Sequence, residues 1–173
     1  MFDAATSTCG RIDGIVCNHA LSGSDGPLGE LTAAMLDSHY AINTRATLLL
    51  AQAYANQHQA TSPGRIIFMT SGQGLGPMSG EVAYAAAKGA LQQITHTIAD
   101  QLADHNITVN TVNPGPVDTG YMTEQLWQDV HARFPFGRMG ENKDPARLIA
   151  WLLTEEASWI TGQVIHSEGG FRR

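Results

Sequence analysis

The feature that most constrains how this chain can fold is an alternation of short apolar runs with helical patterns. Four runs have the length and composition of buried strands: Ile12–Asn18, Arg65–Ser71, Ile107–Asn113 and Gln163–Ser167. Helical periodicity fills the segments between them, over residues 31–59, 79–104 and 144–153. Strands that alternate with helices form a parallel sheet joined by right-handed crossovers. The sequence therefore predicts the α/β class, with about four parallel strands and flanking helices in a single domain, residues 1–173.

Three segments interrupt this regular pattern. The first long helix is expected to break near Asn43. Residues 121–143 carry a proline and two glycines, which predicts a short helix inside a loop. The run Gly72-Gln73-Gly74-Leu75-Gly76 looks like a phosphate-binding loop, but it is followed at once by Pro77. We therefore interpret its glycines as turn residues.

Composition excludes several classes of function. The net charge of −6 argues against a nucleic-acid partner held through its phosphates. No apolar run approaches the length of a membrane span, and residues 1–20 lack the pattern of a signal peptide, so we expect a cytoplasmic protein with no membrane partner. Cys9 and Cys17 lack metal-ligand spacing and the seven histidines form no ligand pair, so no metal site is predicted.

The segment Tyr84-Ala85-Ala86-Ala87-Lys88 carries the most specific chemical signal. Residues four apart on a helix share one face, so the Tyr84 phenol and the Lys88 ammonium are expected to lie together. A free phenol has a pKa of about 10, and a cation about 4 Å away would lower that pKa toward neutrality. Such a phenol can exchange a proton with a carbonyl or alcohol oxygen, which the Ser71 hydroxyl could hold by a hydrogen bond.

The ends of three predicted strands point to the same place. Asn18, Ser71 and Pro114 each stand where a predicted strand ends. In a parallel sheet the carboxyl ends of the strands share one edge, and ligands bind there. We therefore expect one site that brings these three positions together.

These motifs together resemble the short-chain dehydrogenase/reductase family, in the style of its 3-oxoacyl-carrier-protein reductase and glucose dehydrogenase members. The strand that ends in Cys17-Asn18-His19-Ala20 is similar to the family strand that ends in Asn-Asn-Ala-Gly. Ser71, Tyr84 and Lys88 match the family's serine, tyrosine and lysine. The resemblance continues through the segments 113–119, 136–140 and 160–170.

The resemblance implies a Rossmann-like, doubly wound sheet and an NAD- or NADP-dependent interconversion of an alcohol and a ketone. The catalytic residues that it implies are Asn43, which would hold a proton-relay water, with Ser71, Tyr84 and Lys88. The implied contacts to the nicotinamide end of the cofactor are Asn18, Ala20, Tyr84, Lys88, Pro114, Gly115, Val117 and Thr119.

The substrate implied by the resemblance is a small carbonyl or alcohol compound covered by a lid, residues 119–140. Its identity cannot be read from the sequence. A set of apolar and small residues either lines the substrate pocket or belongs to the lid and core: Gly74, Leu75, Met78, Met122 and Trp127.

The sequence departs from the family pattern at two places. His19 stands where the family pattern has alanine, and we interpret it as a tolerated variant. The larger departure is at the start, where family members have a strand, a Gly-x-x-x-Gly-x-Gly loop and further βα units. Here Met1 falls in what resembles the helix before the family's fourth strand. Since one βαβ unit takes about 30 residues, the three absent strands correspond to roughly 70 residues.

The absence of those strands would leave Ile12–Asn18 as an open sheet edge. An apolar edge with unpaired backbone groups pairs readily with another chain. We therefore expect a homo-oligomer, dimer or tetramer, or an aggregation-prone chain. Without the pyrophosphate site at a helix N-terminus, we also expect weak binding of free cofactor.

Three hypotheses for function stay open. The chain is the catalytic portion of an NAD(P)-dependent oxidoreductase, or a truncated, non-catalytic remnant that serves as an interaction subunit through helices 43–59 and 79–104, or a domain-swapped dimer that rebuilds a cofactor cleft. The intact set Asn43, Ser71, Tyr84 and Lys88 favours catalysis. It cannot replace a phosphate site, so whether the chain is an enzyme is not decided by its sequence.

Overall fold

The computed structural model of the protein describes residues 2–120 and 122–173. The helices are α1 (Phe2–Cys9), α2 (Ala33–His39), α3 (Ala46–Gln57), α4 (Val82–Ala103), α5 (Glu124–His131) and α6 (Lys143–Leu152). The strands are β1 (Gly14–Cys17), β2 (Gly64–Met69), β3 (Ile107–Asn113) and β4 (Val164–His166). Within the described chain, no helix is both long enough and apolar enough to span a bilayer.

The four strands form one parallel sheet in the order β1-β2-β3-β4. The predicted α/β class and the four-stranded parallel sheet are therefore confirmed. Helices cross over between successive strands: α2 and α3 lead from β1 to β2, α4 leads from β2 to β3, and α5 and α6 lead from β3 to β4. Because every strand runs in the same direction, all four carboxyl ends lie at one edge of the sheet.

The predicted helices and strands are present, and their bounds differ by a few residues. The expected break near Asn43 is a π-helical turn, Tyr40–Arg45, between α2 and α3. Helix α4 begins at Val82 rather than at residue 79, because a remote carboxylate receives the N–H groups of its first turn. Helix α1 lies where the sequence predicts a helix before β1; Met1 itself lies outside the described residues.

Strand β2 explains how the core covers both faces of the sheet. Successive side chains of a strand point to opposite faces. Ile66 and Phe68 belong to the apolar cluster that includes residues of α3 and α4. Ile67 and Met69 belong to a second cluster, which Leu152 of α6 joins from the other face. All six residues of β2 are buried, as the continuous apolar run predicts for a central parallel strand.

Strand β1 is the edge of the described sheet next to β2. Its far side has no strand partner among residues 2–120 and 122–173, and Val16 is 39% exposed. An apolar groove beside it is lined by Phe2, Ile12, Ile15, Val16, Cys17 and Leu50. The described sheet thus has the open apolar edge that the sequence predicts.

Candidate functional site

The predicted site residues follow the carboxyl ends of neighbouring strands. Asn18 directly follows β1 and is exposed, Ser71 comes two residues after β2 and is half-buried, and Pro114 directly follows β3. The strands pair in the order of their numbers, so the three residues stand at one edge of the sheet. Their place at one sheet edge agrees with the strand pattern, and their sharing of one binding site stays a prediction.

Helix α4 places the phenol and the ammonium together. The Lys88 Nζ atom lies 5.9 Å from the centre of the Tyr84 ring. Lys88 is only 2% exposed, and its Nζ donates a hydrogen bond of 2.9 Å to the carbonyl of Met69, the last residue of β2. The Thr70 hydroxyl donates to the Lys88 carbonyl at 3.0 Å. These two bonds fix the helix against the end of the strand that leads to the serine.

Burial controls the charge of Lys88. It lowers the pKa of the ammonium to about 8, while the nearby Cys17 acts in the opposite direction. Burial also raises the pKa of the Cys17 thiol to about 11, so this sulfur is neutral at pH 7. Lys88 therefore stays mainly protonated at pH 7 and brings a positive charge to the Tyr84 ring.

Ser71 stands between β2 and the 3₁₀ turn Gly72–Gly74. Its neighbour Thr70 and the Met69 carbonyl both bind Lys88, which brings the serine backbone to the Tyr84 and Lys88 face of α4. The hydroxyl lies 4.0 Å from the Met78 sulfur, a weak acceptor. That contact leaves the serine hydroxyl available for a stronger acceptor or donor.

Asn43 is fully buried in the π-helical turn and anchors the loop after β1. Its Oδ1 accepts the Leu21 N–H at 2.7 Å, and its Nδ2 donates to the Leu21 carbonyl at 3.0 Å. The neighbouring Thr44 hydroxyl donates at 2.8 Å to the carbonyl of Ala87, the residue before Lys88. The turn therefore links the loop after β1 to the helix that carries the tyrosine and the lysine; the relay role of Asn43 stays a prediction.

Asp25 supports the site, although no motif in the sequence identifies it. Its carboxylate accepts the N–H groups of Tyr84 at 2.7 Å, Ala83 at 3.0 Å and Gly26 at 2.8 Å. Burial opposes its ionisation, but these donors hold the pKa of Asp25 below its usual value. Glu81, at the N-cap position, makes no capping bond with its own side chain, so Asp25 acts as a remote cap for α4.

The buried His39 supports the same loop. Its Nε2 lies 3.0 Å from the Gly23 carbonyl and its Nδ1 lies 3.3 Å from the Asn43 Nδ2. These contacts fit a ring that donates from Nε2 and accepts at Nδ1. Its edge meets the Tyr84 ring at 86°, with 6.1 Å between ring centres. No short-range pattern connects His39 or Asp25 with residue 84, and so neither could be predicted from the sequence.

The loop after β3 has a backbone that requires glycine. Gly115 has a φ of +68°, and its N–H donates to the Asn113 Oδ1 at 3.0 Å. A Cβ atom at Gly115 would lie 2.9 Å from the Cα of Glu168. Such a conformation and such close packing both exclude a larger residue. The loop is thereby held in one shape beside the strand ends.

The described residues fit the nicotinamide end of a dinucleotide. An ammonium has three N–H donors, and Lys88 uses one on Met69, which leaves two for ribose hydroxyls. Of the other predicted contacts, Asn18, Ala20 and Thr119 are exposed and Pro114, Gly115 and Val117 are half-buried. These residues can therefore contact a ligand.

The phosphate end finds no counterpart in the described residues. Among residues 2–120 and 122–173, α1 is the only helix or strand before β1, so no strand, glycine loop and helix unit precedes the site. The glycine run lies in a turn, as predicted, and its first three residues, Gly72–Gly74, form a 3₁₀ helix. Nor do the described histidine, cysteine and acidic residues form a group of three that could hold a metal ion.

The predicted lid, residues 119–140, is described except for residue 121 and contains α5. Both carboxylate oxygens of Asp144 accept from Arg138, at 2.7 and 2.9 Å, and this pair fastens the end of the lid to α6. Of the candidate pocket residues, Leu75 is 46% exposed and Trp127 is 37% exposed. These two side chains therefore do not belong to the core.

Sequence relatives of this chain are oxidoreductases. The family model described as Enoyl-(Acyl carrier protein) reductase matches residues 1–172. The oxidoreductase YjdA of Bacillus subtilis is 49% identical over 161 residues, which are 92% of this chain and 64% of that protein. An NADPH-dependent aldehyde reductase-like chloroplast protein of Arabidopsis thaliana is 33% identical over 177 residues, 99% of this chain and 66% of that protein. The chain thus spans about two thirds of the length of these relatives.

Solved structures show the same fold. The reductase LugOII of lugdunomycin biosynthesis matches with a TM-score of 0.85 and 38% identity, over 97% of this chain and 68% of that chain. The angucycline C-6 ketoreductase LanV, solved with bound NADP, matches with a TM-score of 0.89 and 30% identity, over 97% of this chain and 66% of that chain. With the family match over nearly its whole length, the chain belongs to the short-chain dehydrogenase/reductase family.

Proposed function

We propose that this chain carries the catalytic portion of an NAD(P)-dependent oxidoreductase that interconverts a ketone and an alcohol. The observation that carries the proposal is the Tyr84 and Lys88 pair, with the buried ammonium 5.9 Å from the phenol ring centre and fixed to the end of β2. Reductases among the sequence and structure relatives support the same class of reaction.

In this proposal Tyr84 is the proton donor to the substrate oxygen. The Lys88 charge stabilises the phenolate that remains after proton transfer. Ser71 holds the substrate oxygen by a hydrogen bond and so positions it for the transfer. In the reverse direction the same phenolate accepts the proton of the alcohol.

The residues that would hold the nicotinamide end are Lys88, at the ribose, and the loop Pro114-Gly115, whose shape is fixed by Asn113. A bound nicotinamide supplies or accepts the hydride. Asn18, Ala20, Val117 and Thr119 would complete the contacts around it. The choice between NAD and NADP is not made by any of these residues, and LanV was solved with NADP.

The uncovered β1 edge favours a second function. A chain that spans about two thirds of its relatives and exposes an apolar edge could act as an interaction subunit without catalysis. In either function we expect a homo-oligomer in the cytoplasm.

Steady-state carbonyl reduction tests the proposal. The purified chain is mixed with NADPH or NADH and a panel of small ketones and aldehydes, and cofactor oxidation is followed beside the Ser71→Ala variant. The proposal predicts slow but measurable turnover with at least one carbonyl compound, lowered at least tenfold in the variant. A folded chain with no turnover on any of them would favour the interaction subunit.

A further inference from the structure

The turn that follows Ser71 is packed against the segment that follows β4, residues 168–173. An atom added as Cβ at Gly72 would overlap the Nη2 of Arg173, and one added at Gly76 would overlap the Arg173 Cδ. The arginine side chain therefore lies directly against the backbone of the turn. Since a backbone cannot yield as the end of a side chain does, the place of Arg173 constrains the place of the turn.

A buried carboxylate holds Arg173 in this position. Glu168 is 8% exposed, and its two oxygens accept hydrogen bonds from both terminal nitrogens of the guanidinium, from Nη1 to Oε2 at 2.9 Å and from Nη2 to Oε1. Burial opposes ionisation of this carboxyl, but Arg173 and Asn113 hold the pKa of Glu168 below its usual value. The ion pair is therefore present at pH 7, and its two parallel bonds fix the orientation of the guanidinium.

The same carboxylate holds the loop after β3. The Asn113 Nδ2 donates to the Glu168 Oε1 at 2.7 Å, and the Asn113 Oδ1 accepts the Gly115 N–H at 3.0 Å. A Cβ atom at Gly115 would lie 2.9 Å from the Cα of Glu168, so the two backbones are also in close contact. Glu168 thus holds the predicted nicotinamide loop through Asn113 and the turn after the serine through Arg173.

The lid is attached to the same short segment. The Arg172 N–H donates at 3.0 Å to the carbonyl of Arg133, just after α5. The ring of Phe171 lies 5.1 Å, centre to centre, from the ring of Phe134, which is 7% exposed. The guanidinium carbon of Arg173 lies 5.6 Å from the centre of the Phe171 ring. Three loops around the site therefore meet at one segment, and the arginine is its link to the serine side.

We propose that Arg173 is a positioning residue, whose ion pair with Glu168 fixes the turn after Ser71 relative to the nicotinamide loop at Gly115. Every link between the two loops is a pair of hydrogen bonds or a backbone contact, so the connection has no flexible member. This inference rests on the proposed function, because a reaction between a substrate held at Ser71 and a nicotinamide held at Gly115 depends on their relative placement.

Hydrogen exchange tests the positioning without turnover. Amide exchange is followed by ¹H–¹⁵N spectra in the wild type, Arg173→Met and Arg173→Lys. We expect at least tenfold faster exchange of the Gly115 and Gly76 N–H groups in Arg173→Met, and a smaller change in Arg173→Lys, which keeps the charge but not the two parallel bonds. The amide of Phe68, a fully buried residue of β2, reports global unfolding and should be unaffected. Arg172→Met, at an exposed arginine, is the matched control. Unchanged exchange at both glycines in Arg173→Met would overturn the inference.

Kinetics give the second arm. With NADPH and a carbonyl compound that the wild type reduces, Arg173→Met should lower kcat about tenfold and leave KM within twofold, because the arginine orients the reacting groups and does not bind substrate. Arg173→Lys should recover part of kcat. A change in KM alone, or the same kcat in both variants and the wild type, would contradict the proposal. If the wild type reduces no carbonyl compound, the proposed function fails, while faster exchange at both glycines still supports the link between the two loops.

Discussion

The strand ends and the β1 edge of this molecule are built in opposite ways. At the strand ends, side chains at the heart of the site are buried and bonded: Lys88 to Met69, Asn43 to Leu21 and Asn113 to Glu168. At the β1 edge, apolar side chains line a groove and Val16 is 39% exposed, with no strand alongside among the described residues.

The difference separates two tasks that one fold usually combines. Proton transfer depends on groups held in fixed positions, and these are present at the strand ends. Binding of a dinucleotide also needs a phosphate site, and the described residues before β1 form only α1. The chain therefore has an organised chemical site and, at its other flank, a surface that another chain can cover.

The largest effect is expected from removing the phenol hydroxyl at the organised site. Tyr84→Phe should lower carbonyl reduction by about 10²–10⁴-fold, because the proton donor is lost while the ring contact with His39 persists. Steady-state kinetics and a thermal melt check both parts. The control is Tyr40→Phe, at a tyrosine that is 52% exposed, which should change neither the rate of carbonyl reduction nor the melting temperature. Activity retained within twofold in Tyr84→Phe would rule out the assigned proton donor.

We expect the buried ammonium of Lys88 to lower the free energy of unfolding of the chain. Its folded pKa of about 8 lies below the value of 10.5 expected for a free lysine, so the unfolded chain binds more protons between these pH values. Stability contributed at this position therefore rises with pH across that window. Lys88→Met should stabilise the chain by about 2 kcal/mol at pH 7, after the lost hydrogen bond is subtracted, and by less at pH 10.

Urea unfolding at both pH values measures this difference. The control is Lys143→Met, whose side chain is 60% exposed and should give no pH-dependent gain. If Lys88→Met destabilised the chain equally at pH 7 and pH 10, the pKa of Lys88 would not be lowered by burial.

The β1 edge should respond to charge where the strand ends do not. Val16→Lys places an ammonium on the open strand, which disfavours pairing with a second chain. We expect about a tenfold weaker self-association by sedimentation equilibrium, equivalent to about 1.4 kcal/mol. Leu28→Lys, at a 77% exposed leucine away from the strand, should associate as the wild type does. An unchanged oligomer in Val16→Lys would place the interface elsewhere.

Asp25 should give the smallest effect, since it supports the site from outside. Asp25→Asn should destabilise the chain by about 1 kcal/mol at pH 7, the usual value of a helix cap. The folded pKa of Asp25 is depressed, so its contribution is present above about pH 4 and is lost as pH falls through the folded pKa. Chemical denaturation at pH 7 and pH 3, with Asp100→Asn on the exposed face of α4 as the control, measures the effect. Equal destabilisation at pH 7 and pH 3 would mean that the negative charge of Asp25 does not contribute to the stability of the folded chain.

The sequence predicted what local patterns determine. Tyr84 and Lys88 share a helix face because they are four residues apart, and the strand ends meet because parallel strands share an edge. Asp25, His39 and Arg173 could not be predicted in this way. Asp25 reaches its partner Tyr84 across 59 residues, and Arg173 reaches the glycine run through the fold alone. Such contacts follow from tertiary packing, which periodicity does not encode.

The central proposal is that the described residues hold the nicotinamide end of a cofactor and offer no site for its phosphate end. Nicotinamide fluorescence titrations with NADPH and with reduced nicotinamide mononucleotide, which lacks the adenosine half, test it most directly. Lys88→Ala is the control variant. We expect weak and nearly equal binding of the two compounds, and we expect Lys88→Ala to abolish it. Binding of NADPH more than a hundredfold tighter than the mononucleotide would reveal a phosphate or adenosine site and contradict the claim.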